Sequence, residues 1–288
     1  MDISVIIVNW NVRDLLRRCL ASIEKYRGIL SVESIVVDNA STDGSASMVQ
    51  KEFPGVKLFR MPKNLGFARA NNRALAKAQG RYLFFLNPDA ELTPGALEAL
   101  VAYMDAHPEV AVAAPRIENP DGTYQRGSIR REPTLSSQLL IILKLSHLLP
   151  RVHALQRYYY ADFDPAREQM VDQVMGSAMF FRRSALDTVG YFDEKFFLWF
   201  EEVDLCRRVR QSGAAICYLP QARVIHHGGA SFRQEVLITK QLIWYRSVVH
   251  YFYKHFGWRH AVVLWFASRV ALLMVILYRP YAKRSADR

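Results

Sequence analysis

At 288 residues and 51% hydrophobic content, the chain is long enough for one large α/β domain or two small ones, and too apolar to be disordered. Its 38 basic and 27 acidic residues leave a formal charge of +11, which suits anionic partners such as phosphate-bearing small molecules or anionic lipid. The basic residues are scattered rather than striped, so no nucleic-acid partner is expected.

Three cysteines, Cys19, Cys206 and Cys217, show no metal-type spacing, and an odd count argues against a disulfide framework. Reduced thiols in a cytosolic compartment are therefore expected. The opening MDISVIIVNWN has no basic leader and moves directly into a strand-like run, so no secretory signal is read there.

Strand and helix signals then alternate. Residues 4–8 form a short β-branched run, and 14–27 carry Leu15, Leu16, Cys19, Leu20 and Ile23 at helical spacing. A second strand is predicted over 34–37, ending at Asp38, then a helix over 45–53 and a third strand over 56–61. The Ala-rich stretch 66–79 predicts a helix closed by Gly80, before a fourth strand over 82–86 and a helix over 94–107. This order predicts βαβ units and a mainly parallel sheet, with ligands bound at the carboxyl ends of the strands. Three of those ends are polar: Asn9-Trp10-Asn11, Asp38-Asn39 and Asn87-Pro88-Asp89.

Beyond about residue 116 the pattern changes. ENPDGTYQRGSIRREPT reads as loop, with Arg126, Arg130 and Arg131 closely spaced, and the apolar stretch 135–149 breaks at Pro150. A buried strand is predicted over 174–181, and FDEKFFLWFEEVDLCRRVRQSG reads as a loop entering a helix that stops at Gly213. Two short strands, 215–219 and 222–225, lead to His226-His227-Gly228-Gly229. With no repeat and no clear linker, one domain with a helical C-terminal extension is preferred.

No GxGxxG follows the first strand and no GxxxxGK[ST] is present, so neither phosphate-binding glycine loop is available. What remains is carboxylates and amides at strand ends, an acidic cluster and a histidine pair. Hard oxygen ligands, with a histidine added, suit Mg²⁺ or Mn²⁺ shared with a diphosphate. Taken alone, Asn87-Pro88-Asp89 is an ordinary turn, and its carboxylate could be a turn residue or a metal ligand. In Glu201-Glu202-Val203-Asp204, acidic residues also suit a helix N-terminus, and at helical spacing Glu202 points about 100° from Glu201. These carboxylates therefore do not all serve one site alike: if one is a general base, its neighbours cap, pair with Arg207 or Arg208, or contact acceptor.

In this order, SVIIVNWN, IVVDNASTDGS, NLGFARANNRAL, FLNPDAEL, GSAMFFRRSAL, VGYFDEKFFLWFEEVDLCRR and VIHHGGAS resemble the family 2 glycosyltransferases of the GT-A fold over residues 3–232. The likeness is greatest to the rhamnosyltransferase-like branch that builds bacterial cell-surface polysaccharides. It implies an α/β, Rossmann-like nucleotide-diphospho-sugar transferase domain over 1–232 and a helical, basic extension over 233–288. It also implies roles. Val8 and Asn9 would border the nucleotide, Asp38 would accept from the pyrimidine ring N–H, and Asn64 would lie nearby. Asn87 and Asp89 hold the places of the family's D-x-D motif; Asn87 keeps an oxygen for the ribose, and Asp89 would be the principal ligand of Mn²⁺ or Mg²⁺. His226 would be the second ligand, with His227 less favoured. Glu202 matches the catalytic Asp of the family's E-D-x-D motif, one methylene longer, with Asp204 the alternative base.

The activity so implied is metal-dependent, inverting transfer of a sugar from a nucleotide-diphosphate donor to a hydroxyl of a glycan or polyprenyl-linked acceptor. The first donor choice is dTDP-L-rhamnose, with UDP-hexoses, including the galactofuranose donor, as alternatives. A rival reading, a sugar-nucleotide nucleotidyltransferase, would favour a glycine-rich, basic loop after the first strand, which NWNVRDLL does not supply. A non-catalytic nucleotide-binding partner protein is the other rival. Residues 261–278 are apolar but for Ser268 and Arg269 and precede Arg279, Lys283, Arg284 and Arg288. A central Arg disfavours a clean span, so an interfacial helix on an anionic membrane surface is expected, with a core or homodimer helix as the alternative. The expected location is cytoplasmic, peripheral on the inner face of the plasma membrane. The 135–149 leucines suit either a lipid-linked acceptor or a buried helix.

Overall fold

The computed structural model describes residues 1–229 and 237–286, with side chains up to residue 275 apart from that of residue 237. The expected boundary between 232 and 233, the end of VIHHGGAS and the side chains of the basic tail lie outside the described residues.

The period-2 runs and amphipathic stretches of the first half form the elements they predict. These are β1 (Ile3–Asn9), α1 (Arg13–Tyr26), β2 (Val32–Asp38), α2 (Ser45–Glu52), β3 (Lys57–Arg60), α3 (Phe67–Leu75) and β4 (Tyr82–Leu86). β1 pairs in parallel with both β2 and β4, and β3 adds in parallel to β2. Next come β5 (Ala90–Leu92), α4 (Ala96–Ala106), β6 (Val110–Glu118), β7 (Ile129–Arg130), α5 (Leu135–Ile142) and α6 (His153–Tyr158). The chain continues through β8 (Gln169–Met170), β9 (Gln173–Val174), β10 (Ala178–Arg182), α7 (Arg183–Val189), α8 (Glu201–Gln211) and β11 (Ala215–His226). Two long helices close it, α9 (Leu237–Phe256) and α10 (Trp258–Ala286). The main sheet runs β3-β2-β1-β4-β10-β6-β11-β5, with β8 on β11, and β7 and β9 form a small separate sheet.

The long ladders are parallel, β1 with β2 and β6 with β11, whereas β10 lies antiparallel between β4 and β6. β6 has no counterpart among the predicted strands, because three alanines dilute the strand signal of its Val-Ala-Val-Ala-Ala core. The stretch 174–181 is split rather than one strand. Val174 pairs with Ile129, Gly176 passes beside Glu202, and β10 begins only at Ala178. Conversely, 215–219 and 222–225 are a single strand, β11, with an irregularity between Leu219 and Arg223 where Pro220 offers no N–H to the ladder.

Alternation along the strands divides the core. Val5, Ile7, Phe84 and Leu86 pack with Leu16, Leu20 and Ile23 of α1 and Leu97 and Leu100 of α4. On the other face Ile6, Leu83 and Phe85 pack with Ala70 and Ala74 of α3, Leu205 and Val209 of α8, and Tyr245, Val248 and Tyr251 of α9. All five residues of β4 are buried, as a strand covered on both faces requires. Truncating Phe84 or Phe85 to Ala would cost about 3–5 kcal/mol.

α10 packs on α9 and α5 through Leu264, Ala267 and Ala271, leaving Val262, Phe266, Val270, Leu273 and Met274 exposed. Its segment Trp258–Val275 is long and apolar enough to cross a membrane by length and composition, and only 28% of it is buried.

Candidate active site

Asn9 and Asp38 close β1 and β2 as register partners, and both are buried. Asn9 Nδ2 donates to Asp38 Oδ1 at 3.0 Å and to Ser41 Oγ at 3.1 Å, while Ser41 N donates to Asp38 Oδ2 at 3.1 Å. The neighbouring Asn39 donates from Nδ2 to Asn64 Oδ1 at 2.8 Å and accepts from Leu65 N at 2.8 Å, which ties the NLGF loop to the end of β2. Asn11 and Ala40 bend the two loops with φ of 52° and 64°. Val8, Asn64, Asn87 and Asp89 line a cavity of about 230 Å³ in front of these strand ends. Asn9 and Asp38 lie behind its lining, bracing it.

At the end of β4 the turn closes through Ala90 N donating to Asn87 O at 3.1 Å. Asp89 is buried there, and β11 runs antiparallel to β5 so that His226 comes opposite Ala90. His226 Nε2 lies 3.3 Å from Asp89 Oδ1 and 3.4 Å from Asn87 Nδ2. His227 points elsewhere, its Nε2 2.7 Å from Glu91 Oε1. A carboxylate oxygen and an imidazole nitrogen facing each other fit two adjacent positions of Mg²⁺ or Mn²⁺, since bonds of about 2.0–2.1 Å in an octahedron put neighbouring ligands about 3 Å apart. Among the described residues no group of three or more His, Cys, Asp or Glu forms a metal cage. The arrangement therefore leaves most of a cation's coordination to substrate oxygens and water.

A second cavity, of about 640 Å³, adjoins the first and shares Phe67, Asn87, Leu198 and Trp199 with it. Glu201 and Glu202 line it, and one oxygen of each, Oε2, has no hydrogen-bond partner among the described residues. Burial raises the affinity of both carboxyls for a proton; the charge of Glu202 adds to this at Glu201, while Arg130 opposes it at Glu202. Asp204 is absent from the lining. It is fully buried, 2.9 Å from Arg208 Nε, 2.7 Å from Lys254 Nζ and 2.7 Å from His255 Nε2. Burial pushes its carboxyl up, but the bond from His255 and the charges of Arg208 and Lys254 outweigh that and hold it below the ordinary range.

The loop before α8 carries this geometry. Phe197 O accepts from Phe67 N at 2.7 Å, an approach that leaves no room for a side chain at residue 66. A Cβ on Gly66 would stand 2.3 Å from that oxygen, and φ there is +79°. Trp199 and Phe200 are both left-handed, with φ of 65° and 69°, so the chain turns sharply into the first turn of α8. Gln125, Arg130, Gly176, Trp199 and Trp244 also line the second cavity, and none had been singled out as a site residue. The Asp121-Gly122 turn marks a hairpin near Gln125, but residue type alone does not show that the hairpin reaches the site.

Two cavities joined at the carboxyl edge of a mainly parallel sheet, with Asp89 facing His226 where they meet, sit on a fold of GT-A architecture. The mannosyltransferase PcManGT from Pyrobaculum calidifontis, in complex with GDP-Man and Mn²⁺, shares that fold with a TM-score of 0.56 at 18% identity, covering 99% of this chain and 78% of that one. GalNAc-T7 with UDP, GalNAc and Mn²⁺ superposes with a TM-score of 0.57 at 18% identity, over 78% of this chain and 44% of that one. Residues 4–190 match the model of glycosyl transferase family 2, and the chain belongs to that family. It is 29% identical over 271 residues to the N-acetylglucosaminyl-diphospho-decaprenol L-rhamnosyltransferase of Mycobacterium tuberculosis (strain ATCC 25618 / H37Rv), covering 89% of this chain and 87% of that protein. The pre-mycofactocin glycosyltransferase of the same organism is 31% identical, over 78% of this chain and 42% of its own length.

Proposed function

We propose that the protein is a divalent-cation-dependent, inverting glycosyltransferase that moves a sugar, dTDP-L-rhamnose being the first donor choice, to a hydroxyl of a polyprenyl-diphosphate-linked glycan. The observation that carries this is the junction of the two cavities at Asn87, where Asp89 of the smaller cavity faces His226 at 3.3 Å and His226 and Glu202 both line the larger. Val8 and Asn64 hold the nucleoside, with Asn9 and Asp38 bracing them from behind, and Asn87 meets its ribose. Asp89 and His226 hold the cation, which when bound neutralises charge on the diphosphate leaving group. Glu202, ionised and open to the larger cavity, takes the proton of the acceptor hydroxyl. The acceptor oxygen bonds to the anomeric carbon as the bond to the diphosphate breaks, and attack from the opposite face inverts the configuration.

The mycobacterial relative's name supports both the rhamnosyl donor and the lipid diphosphate acceptor. Arg126 and Arg130, cationic groups at the larger cavity, suit an anionic acceptor. Membership of the family answers the nucleotidyltransferase reading. The exposed apolar face of α10, on a chain of +11 charge with a basic tail, supports a position on the inner, anionic face of the plasma membrane.

The test is acceptor-dependent release of nucleoside diphosphate from dTDP-L-rhamnose and UDP-hexoses with Mn²⁺ or Mg²⁺, with the anomeric configuration of the product read by NMR. Nucleotide binding without release for every donor would leave a binding protein, and a product of retained configuration would remove the single displacement.

A further inference from the structure

The hairpin after β6 reads Asn119-Pro120-Asp121-Gly122-Thr123-Tyr124-Gln125, and its composition suggests nothing beyond a turn. Its polar side chains nevertheless form a line of hydrogen bonds that can run in one direction only. Asp121 Oδ1 accepts from the Thr123 backbone N–H at 2.9 Å and from its hydroxyl at 2.6 Å. Those two bonds hold the Asp121 carboxyl below the usual range, so it is ionised at neutral pH and has no proton to give.

The Thr123 hydroxyl, having spent its one proton on Asp121, can only accept from Asn119 Nδ2 at 2.9 Å. That turns Asn119 Oδ1 toward Gln125 Nε2, 3.0 Å away. Gln125 Nε2 also faces the backbone carbonyl of His226 at 3.4 Å, a second group that can only accept. Both anchors orient the Gln125 amide the same way and leave its Oε1 against His226 Nδ1 at 2.8 Å. An amide oxygen cannot donate, so the proton of this bond belongs to Nδ1. A neutral imidazole has one N–H, which leaves Nε2 with a lone pair. On that side Asn87 Nδ2 is a donor at 3.4 Å, consistent with an acceptor at Nε2.

We propose that Gln125 is a positioning residue for the cation: through a one-way hydrogen-bond relay that starts at Asp121, it holds a proton of His226 on Nδ1 and leaves Nε2 as the ring atom that faces Asp89. This rests on the reading of Asp89 and His226 as the protein's cation ligands. Nε2 and a carboxylate oxygen then face each other 3.3 Å apart, two atoms that one cation can share. The opposite tautomer would place an N–H on the ring atom that faces Asp89, to be undone on loading.

Two measurements on the full chain test this. In metal-free protein labelled with ¹⁵N-histidine, long-range ¹H–¹⁵N spectra report which ring nitrogen bears the proton, with His226 assigned by its disappearance in His226→Gln. Wild-type protein is expected to show the Nδ1–H form, and an Nε2–H form overturns the relay. The second measurement titrates Mn²⁺ alone, following the free-ion EPR signal. Gln125→Leu removes the acceptor and is expected to lose about 10–100-fold in Mn²⁺ affinity and to gain the Nε2–H tautomer. Gln125→Glu keeps an acceptor at the same place and is expected to stay within a few-fold of wild type. Equal affinity in Gln125→Leu, or equal losses in both variants, would show that only packing is at stake and overturn the assignment. The two readings fail separately: wild-type protein that binds no Mn²⁺ overturns the cation niche, whereas the wrong tautomer overturns the relay.

Discussion

Glu202 and Asp204 stand two residues apart at the start of α8 and point into opposite environments, Glu202 toward the larger cavity and Asp204 into a buried cluster of Arg208, Lys254 and His255. Two residues turn a helix by about 200°, so the two carboxylates cannot serve one substrate. The cluster joins α8 to α9, because Lys254 and His255 come from α9. Removing Asp204 takes away the carboxylate that Arg208 and His255 share, while Lys254 keeps Asp193 at 2.9 Å.

For Asp204→Asn the expectation is a loss of stability of about 3–5 kcal/mol in urea unfolding, with the folded fraction still able to transfer sugar. The pH dependence has a definite sign. The Asp204 carboxyl is held below its ordinary value of 3.8 in the folded state, so its contribution is full above that value and is lost as pH falls through the folded pKa. Wild type should therefore lose more stability in acid than Asp204→Asn. An Asp204→Asn protein as stable as wild type but inactive would transfer the base role to Asp204.

Glu202→Gln is expected to lower kcat by about 10²–10⁴-fold with nucleotide affinity nearly unchanged, measured by diphosphate release and calorimetry. Burial raises the Glu202 pKa, and a base must be ionised, so wild-type activity should fall away on the acid side at a pH above the ordinary 4.5 of a glutamate. Stability runs the other way. A group with a raised folded pKa favours the fold below its unfolded value and loses that contribution as pH rises through the folded pKa, so at neutral pH Glu202→Gln should melt no lower than wild type.

Asp89→Ala and His226→Gln should each weaken the Mn²⁺-dependent part of nucleotide binding while leaving binding in chelator unchanged. Calorimetry with and without EDTA separates the two. Unaltered Mn²⁺ dependence in both variants would remove the pair from the site, despite the 3.3 Å that separates them.

Gly66→Ala tests the loop that joins the cavities. Its Cβ would meet Phe197 O at 2.3 Å from a backbone φ of +79°, so either the loop or α3 must move. A loss of about 1–3 kcal/mol is expected in thermal unfolding, together with weaker nucleotide binding, because Leu198 and Trp199 line the donor cavity. A variant with unchanged melting and binding would show that the approach of Phe197 is dispensable.

The outer face of α10 is tested with vesicles. Phe266 and Leu273 are 60% and 59% exposed, and burying each side chain in a lipid interface is worth about 1.5–3 kcal/mol. The double substitution Phe266→Glu and Leu273→Glu should release the protein from sedimenting phosphatidylglycerol vesicles, and salt should weaken the wild-type interaction. Wild-type protein that ignores vesicles but sediments as a dimer, dissociated by the same substitutions, would assign this face to a second copy of the chain.

Much of the architecture could be read in one dimension. Short apolar and β-branched runs mark β1, β2 and β4, and turn chemistry places Asn9, Asp38 and Asp89 at their ends, because strand and turn propensities act over a few residues. The alanine-rich β6 and the antiparallel insertion of β10 escaped, since alanines carry little strand signal and strand order is set by packing across the whole sheet.

The amino-acid sequence by itself determined that an apolar strand ends in a carboxylate, that a helix opens with three acidic residues and that two histidines follow a late strand. Only the tertiary structure decided which of them meet. His226 rather than His227 faces Asp89, Glu202 rather than Asp204 opens to the cavity, and Gln125 meets a ring 101 positions later in the chain. These choices depend on the rotation of a helix about its axis and on which face of a strand a side chain occupies. Both are fixed by the packing of distant segments, and no local pattern of residue types encodes them.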